Sequence, residues 1–170
     1  MPEESREHLS SQQVEIRAAN NDDQLHLVEL FRQSVLEGHV RDNDTGADLD
    51  HLHDGYFADE GASGFWVASC DGQLIGMIGV QRTSDDSAEI RRLRVYDGFR
   101  RRGVGTRLME QALRFCQDHR YLKVVLDVRT ERAPAIALFE KFGFKLAHTR
   151  EMGGRKMHDF YLDLYQAPGI

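Results

Sequence analysis

Residues 93–108 read LRVYDGFRRRGVGTRL, and no other stretch narrows the possible folds as much. An extended Leu93–Val95 runs into a polar turn, then an Arg/Gly loop, then the first turn of an amphipathic helix. Gly103 and Gly105 stand where a ligand must approach the main chain closely. Consecutive backbone N–H groups along the loop make an anion-binding concavity. The helix brings the positive end of its dipole to the same spot. A strand, loop and helix arranged in this way suit a pyrophosphate.

Two common phosphate loops are excluded locally. Thr106-Arg107 follows Gly105 where a Walker loop needs Lys-Ser/Thr, and Leu108 stands where the dinucleotide fingerprint needs its third glycine. Charge supports a small ligand. The 170-residue chain carries a net charge of −6. Residues 91–107 hold seven arginines against Asp97, so this segment is +6 and the remainder −12. A short basic island in an acidic chain fits a small polyanion better than nucleic acid, whose footprint extends further.

The remaining composition places the chain among ordinary soluble domains. No run approaches the roughly 18 apolar residues of a membrane span, and Met1–Gln13 is too polar for a signal peptide. Cys70 and Cys116 make neither a disulfide framework nor a metal site. They read as reduced thiols, which implies a cytoplasmic location.

The periodicity predicts a disordered leader over residues 1–13 and one domain over 14–166. Val14–Ala19 alternates as a strand. Asn20 or Asn21 caps a helix with Leu25, Val28, Leu30, Phe31 and Val35 on its apolar face. Gly38–Glu60 is irregular, with a short helix near Asp48–Phe57. Phe65–Ser69 and Leu74–Val80 form a hairpin through Asp71-Gly72. Glu89–Val95 is a fourth strand, Val104–His119 a helix, and Leu122–Val128 a buried central strand. Glu131–Phe142 is a helix with Pro134 in its first turn. Phe144–Glu151 and Lys156–Leu164 close the chain as a hairpin turning at Gly153-Gly154. The expected fold is α/β, a mixed and mainly antiparallel sheet flanked by helices.

Leu93-x-Val95 followed by Arg-x-x-Gly-x-Gly resembles the acetyl-CoA signature of the GCN5-related N-acetyltransferase (GNAT) superfamily. The resemblance extends over roughly Val14 to Leu164. It includes the Phe65-Trp66-Val67-Ala68 and Ile75-Gly76-Met77-Ile78-Gly79 strands and the downstream Ala135-x-x-Leu138-Phe139-Glu140-Lys141-Phe142-Gly143-Phe144. Within the family these strands and Val124-Val125-Leu126-Asp127 look closest to kidney-type amine and cysteine-conjugate acetyltransferases, although the sequence leads us to expect no membrane anchor like theirs.

The resemblance implies acetyl-CoA as co-substrate and no metal. Leu93, Arg94 and Val95 would pair with the pantetheine arm, and the Val95 N–H would face the thioester oxygen. Arg100, Arg101, Arg102, Gly103, Val104, Gly105 and Thr106 would hold the pyrophosphate, with Arg102 or Arg107 meeting the 3′-phosphate. Glu89 stands where some members place a catalytic glutamate. Period-two geometry puts Glu89, Arg91, Leu93 and Val95 on one face. The alternative for Glu89 is a structural pair with Arg91 or Arg92. Two positions depart from the family pattern. Phe139 replaces a tyrosine that lies near the sulfur, and Arg132 replaces a frequent asparagine. Both would still border the cofactor. Tyr161 is the substitute acid, with His148 and His158 as further proton carriers.

The acceptor is the least determined part. Asp42, Asp44, Asp48, Asp50, Asp54, Asp59 and Glu60 surround His39, His51 and His53 where the family builds its acceptor lip. An acidic lip would draw a cationic amine; the plain alternative is a solvated acidic loop. The Asp42–Gly46 run fails as a calcium loop because Gly46 is fifth and His53 stands in the twelfth place. The reading is direct acetyl transfer to a small-molecule amine. Protein lysine or N-terminal acetylation stands behind it, as does a non-catalytic acyl-CoA-binding module. Family members are commonly homodimers, but no surface stripe here demands it.

Overall fold

The computed structural model describes residues 14–36, 44–100 and 102–165. The leader, His39, Asp42 and Arg101 lie outside them. Asp71 and Gly72 both take positive φ, 52° and 79°. That geometry makes the tight turn joining β2 (Gly64–Cys70) to β3 (Gln73–Ser84). A second turn at Asp85-Asp86 joins β3 to β4 (Ser87–Val95). β1 (Val14–Ala18) pairs antiparallel with β2.

The first helical segment lies over these strands: α1 (Gln24–Leu36), then the short α2 (Ala47–Asp50) and α3 (Leu52–Tyr56). Asn20 caps a single 3-10 turn before α1. Its Oδ1 accepts from the Asp22 N–H at 2.9 Å, and Asp23 accepts from the Asn20 N–H at 2.9 Å. Leu27 and Leu30 are fully buried and Ser34 nearly so, whereas Leu25 is 82% exposed. The buried stripe is therefore rotated from the expected one. It follows the i, i+3, i+7 spacing of Leu27, Leu30 and Ser34, with the Ser34 hydroxyl satisfied by the Leu30 carbonyl at 3.0 Å.

On the opposite face lies α4 (Val104–Asp118), whose Val104, Leu108, Met109, Ala112, Leu113 and Cys116 are buried. The valine, leucines and methionine among them each contribute about 1.5–3 kcal/mol gross on leaving water. Burial also pushes the Cys116 thiol up to about 12, so it stays protonated and inert. β5 (Lys123–Arg129), α5 (Ala133–Lys141), β6 (Lys145–Met152) and β7 (Arg155–Asp163) complete the chain. The sheet order is β1-β2-β3-β4-β5-β7-β6, antiparallel except between β4 and β5. One apolar core fills the space between sheet and α4, and a second lies under α1–α3.

Candidate active site

The parallel β4–β5 ladder is only three residues long, Ser87–Glu89 against Lys123–Val125. Beyond it the strands part. A bulge lies just past that point. Gly79 opposes Arg91 and Met77 opposes Arg94, so two residues of β4 face one of β3. Arg92 takes the extra step with φ 62°, a left-handed conformation costing about 1–2 kcal/mol for a residue with a Cβ.

The bulge shifts the alternation of β4. Upstream, Ala88 and Ile90 pack into the α4 core, so Glu89 and Arg91 face α1–α3. Downstream, Leu93 and Val95 pack against the α4 core, while Arg94 lies opposite Met77 of the other core. Glu89 and Arg91 therefore do not share a face with Leu93 and Val95. The period-two expectation fails because one extra residue intervenes. On β5, Leu126 and Val128 are in the α4 core, which turns Asp127 and Arg129 to the α1–α3 face with Glu89.

The α4 side of the gap opens into a cleft of about 690 Å³, lined by Leu93, Val95, Gly105, Arg100, Arg132 and Leu138 among others. Gly103 is the N-cap of α4 at φ 78°, with no side chain capping the first turn. The N–H groups there are available to an anion. A Cβ on Gly105 would stand 3.4 Å from Leu138, so any larger side chain would enter the cleft. The Tyr96 N–H bonds back to Ile75 O at 2.9 Å, which turns the Val95 N–H the other way, into the gap. The Val95 carbonyl accepts from Arg100 Nε at 3.2 Å. The chemistry of these donors fits acetyl-CoA: apolar walls and a strand edge for the arm, bare N–H groups and arginine for the phosphates.

A smaller cavity of about 120 Å³ continues through the gap, sharing Leu93, Arg94, Arg129 and Arg132 with the first. Glu89, Arg91, Arg92, Asp127 and Phe139 also line it. Arg91 lies 3.6 Å from Glu89 and donates to Gln81 at 2.6 Å. Gln81 in turn donates to Gly55 O. Arg150 bridges Asp127 (3.0 Å) and Asp159 (2.8 Å), and His148 reaches Asp159 at 2.8 Å.

The expected acidic lip behaves differently. Arg92 reaches across to both Asp44 oxygens (2.5 and 2.8 Å) and both Asp48 oxygens (2.5 and 3.1 Å). Its guanidinium also lies over the Phe31 ring, 5.0 Å from the centroid. Burial alone would raise the two carboxyls, but hydrogen bonds and charge from Arg92 outweigh it and hold both below the ordinary carboxylate range. Tyr56 donates to Asp48 at 2.6 Å, and burial together with that carboxylate pushes its hydroxyl well up. Asp44 and Asp48 are thus bound within the fold and do not face solvent as attractants for a cation.

Most of the residues expected around the cofactor come together. Leu93, Val95, Arg100, Gly105 and Arg132 line the larger cleft, and Gly103, Val104 and Thr106 begin α4. Arg102 stacks over Phe99 at 5.9 Å, and Arg107 donates to Val14 O at 2.8 Å. Phe139 is buried and lines the smaller cavity. Tyr161 is placed elsewhere. It faces Val125 across β5–β7, two strands and about 10 Å of backbone from Glu89, and its ring carries Lys123 Nζ at 5.4 Å. Asp127 and Arg129 were missed as site residues. Their signal was the alternation within Leu126–Arg129, which puts charge on one face of an apolar strand. Among the described residues no cluster of His, Cys, Asp or Glu is arranged to hold a metal.

The model of the acetyltransferase (GNAT) family matches residues 26–144. The chain belongs to this family. It is 32% identical over 103 residues to human N-acetyltransferase 8, covering 58% of this chain and 45% of that protein. It is also 32% identical over 116 residues to human N-acetylaspartate synthetase, covering 68% and 34%. The chain thus spans less than half the length of these curated relatives. The yncA protein of Salmonella typhimurium, solved with its cofactor acetyl-CoA, shares the fold with a TM-score of 0.76 at 18% identity, covering 92% of this chain and 96% of that one.

Proposed function

We propose that the protein transfers acetyl from acetyl-CoA directly to the amine of a small molecule. The observation that carries this reading is the parting of β4 from β5. It joins an anion-binding, apolar cleft on one face to a charged cavity on the other. The thioester would sit in the gap, its oxygen toward the Val95 N–H, which accepts developing negative charge. The acceptor would approach from the Glu89 side.

An alkylamine with a pKa near 10.4 is neutral in roughly one molecule of 2,500 at pH 7, a handicap of about 4.6 kcal/mol. Glu89, directly or through water, takes the proton as the nitrogen attacks. The C–N bond forms, the C–S bond breaks, and the electron pair leaves on sulfur. Phe139 offers that sulfur no proton, so coenzyme A departs as thiolate, a tolerable leaving group near neutral pH. Relatives named for N-acetylaspartate synthesis support a small acceptor over a protein one.

Release of coenzyme thiol from acetyl-CoA against a panel of amines, with product masses read afterwards, tests the reading. Acceptor-dependent release with one acetyl group gained by the acceptor is expected. Tight acetyl-CoA binding without release on any amine would replace it with the second reading that Phe139 favours, a binding module without turnover.

A further inference from the structure

The basic island of the sequence is divided between the two faces of the sheet. Arg100 and Arg102 stay with the loop before α4. Arg92 and Arg94, placed by the bulge, project to the opposite face together with Arg91. Arg129 joins them from β5 by alternation with Leu126 and Val128. The acceptor cavity is therefore lined by five arginines, counting Arg132, against the carboxylates of Asp44, Glu89 and Asp127. Arg92 is taken up by Asp44 and Asp48, and Arg91 lies beside Glu89. Arg94, Arg129 and Arg132 then face Asp127, with Glu131 3.7 Å from Arg129, a local balance that favours an anion over a polyamine.

Arg94 on β4 and Arg129 on β5 flank the gap, 3% and 5% exposed. Arginine in a dry, fixed position is the side chain suited to a carboxylate, because its planar fork donates two parallel hydrogen bonds. Asp127 lies two residues before Arg129 on the same face, about 6.6 Å away along the strand, and Glu89 lies across the gap from it. Opposite charges at that spacing are complementary to one short zwitterion. We infer that the acceptor is an amino carboxylate, its carboxylate held between Arg94 and Arg129 and its nitrogen directed toward Glu89 and Asp127. This rests on the transferase reading above and names the substrate class of that same site.

The test uses matched pairs that differ by one carboxylate: leucine against isopentylamine, phenylalanine against phenethylamine, with spermidine as the cationic control. Binding to the coenzyme A-loaded protein is measured by calorimetry and turnover by thiol release. The amino acid of a pair should bind at least about tenfold tighter than its decarboxylated partner. Arg129→Gln should remove that preference and Arg129→Lys should restore part of it, each read as the affinity ratio within a pair at saturating coenzyme A, because Arg129 also lines the larger cleft. Arg94→Gln is the independent second variant, with circular dichroism checking its fold. Equal or tighter binding of the decarboxylated amines or of spermidine would overturn the inference, whatever the turnover. Preference for the amino acids without any turnover would sink the transferase reading and leave this one standing.

Discussion

The two cavities that meet at the β4–β5 gap are built by different means. On the α4 side, the proposed cofactor site, the lining is main chain and absence: bare N–H groups at Gly103–Thr106, a strand edge at Leu93–Val95, and no side chain at Gly105. On the α1–α3 side it is charged side chains held in pairs, Arg91 with Glu89, Arg92 with Asp44 and Asp48, and Asp127 with Arg150. Main-chain recognition is insensitive to most substitutions, so a shared cofactor can be kept while side chains change. The charged side is where one family member can differ from another, because fold does not fix the acceptor.

The largest separation between the two sides should come from Glu89→Gln. Turnover is expected to fall by about 10²-fold or more with acetyl-CoA affinity unchanged; initial rates and cofactor titration of the same variant check it. An equal loss in both would mean that Glu89 holds the cofactor side together and is not the base. Next in size is Arg92→Met, which strands two largely buried carboxylates and should cost about 3 kcal/mol in a urea melt.

The same cluster sets an acid dependence. Asp44 and Asp48 have lowered folded-state values, so their contribution is present above the unfolded value near 3.9 and is lost as pH falls through the folded ones. Stability measured from pH 5 downward should fall, and more shallowly in Arg92→Met than in the parent chain. The cofactor side answers to steric change instead. Gly105→Val should raise the acetyl-CoA KM about tenfold, worth about 1.4 kcal/mol, without altering the acceptor preference. The smallest effect belongs to Gly103→Ala. Nothing lies within 4 Å of the added Cβ, so only the left-handed backbone is penalised, by about 1 kcal/mol or a few degrees of Tm.

The strand, loop and helix of the proposed cofactor side were legible in the sequence because their signal is local. The Arg/Gly loop, the strand before it and the helix after it lie within sixteen consecutive residues, and their spacing dictates the geometry. The hairpin at Asp71-Gly72 was legible for the same reason; the one at Asp85-Asp86 lacks a glycine and was not. The acceptor side depends on contacts between distant residues. Arg92 meets Asp44 and Asp48 across more than forty positions, and no local pattern announces that an acidic run will be neutralised from another strand. The face of Leu93 and Val95 was misread because a non-glycine bulge residue carries no sequence mark, and α1 because Leu25 is apolar yet solvent-facing.

The extra residue at Arg92 acts as a change of phase in an otherwise two-beat strand. Before it, even positions serve the α4 core; after it, odd positions do. A single strand can thus present charge to the α1–α3 face on both sides of the bulge while its tip still lays Leu93 and Val95 along the larger cleft. Deleting that one residue would leave composition almost untouched and exchange the two faces of everything from Leu93 to Val95.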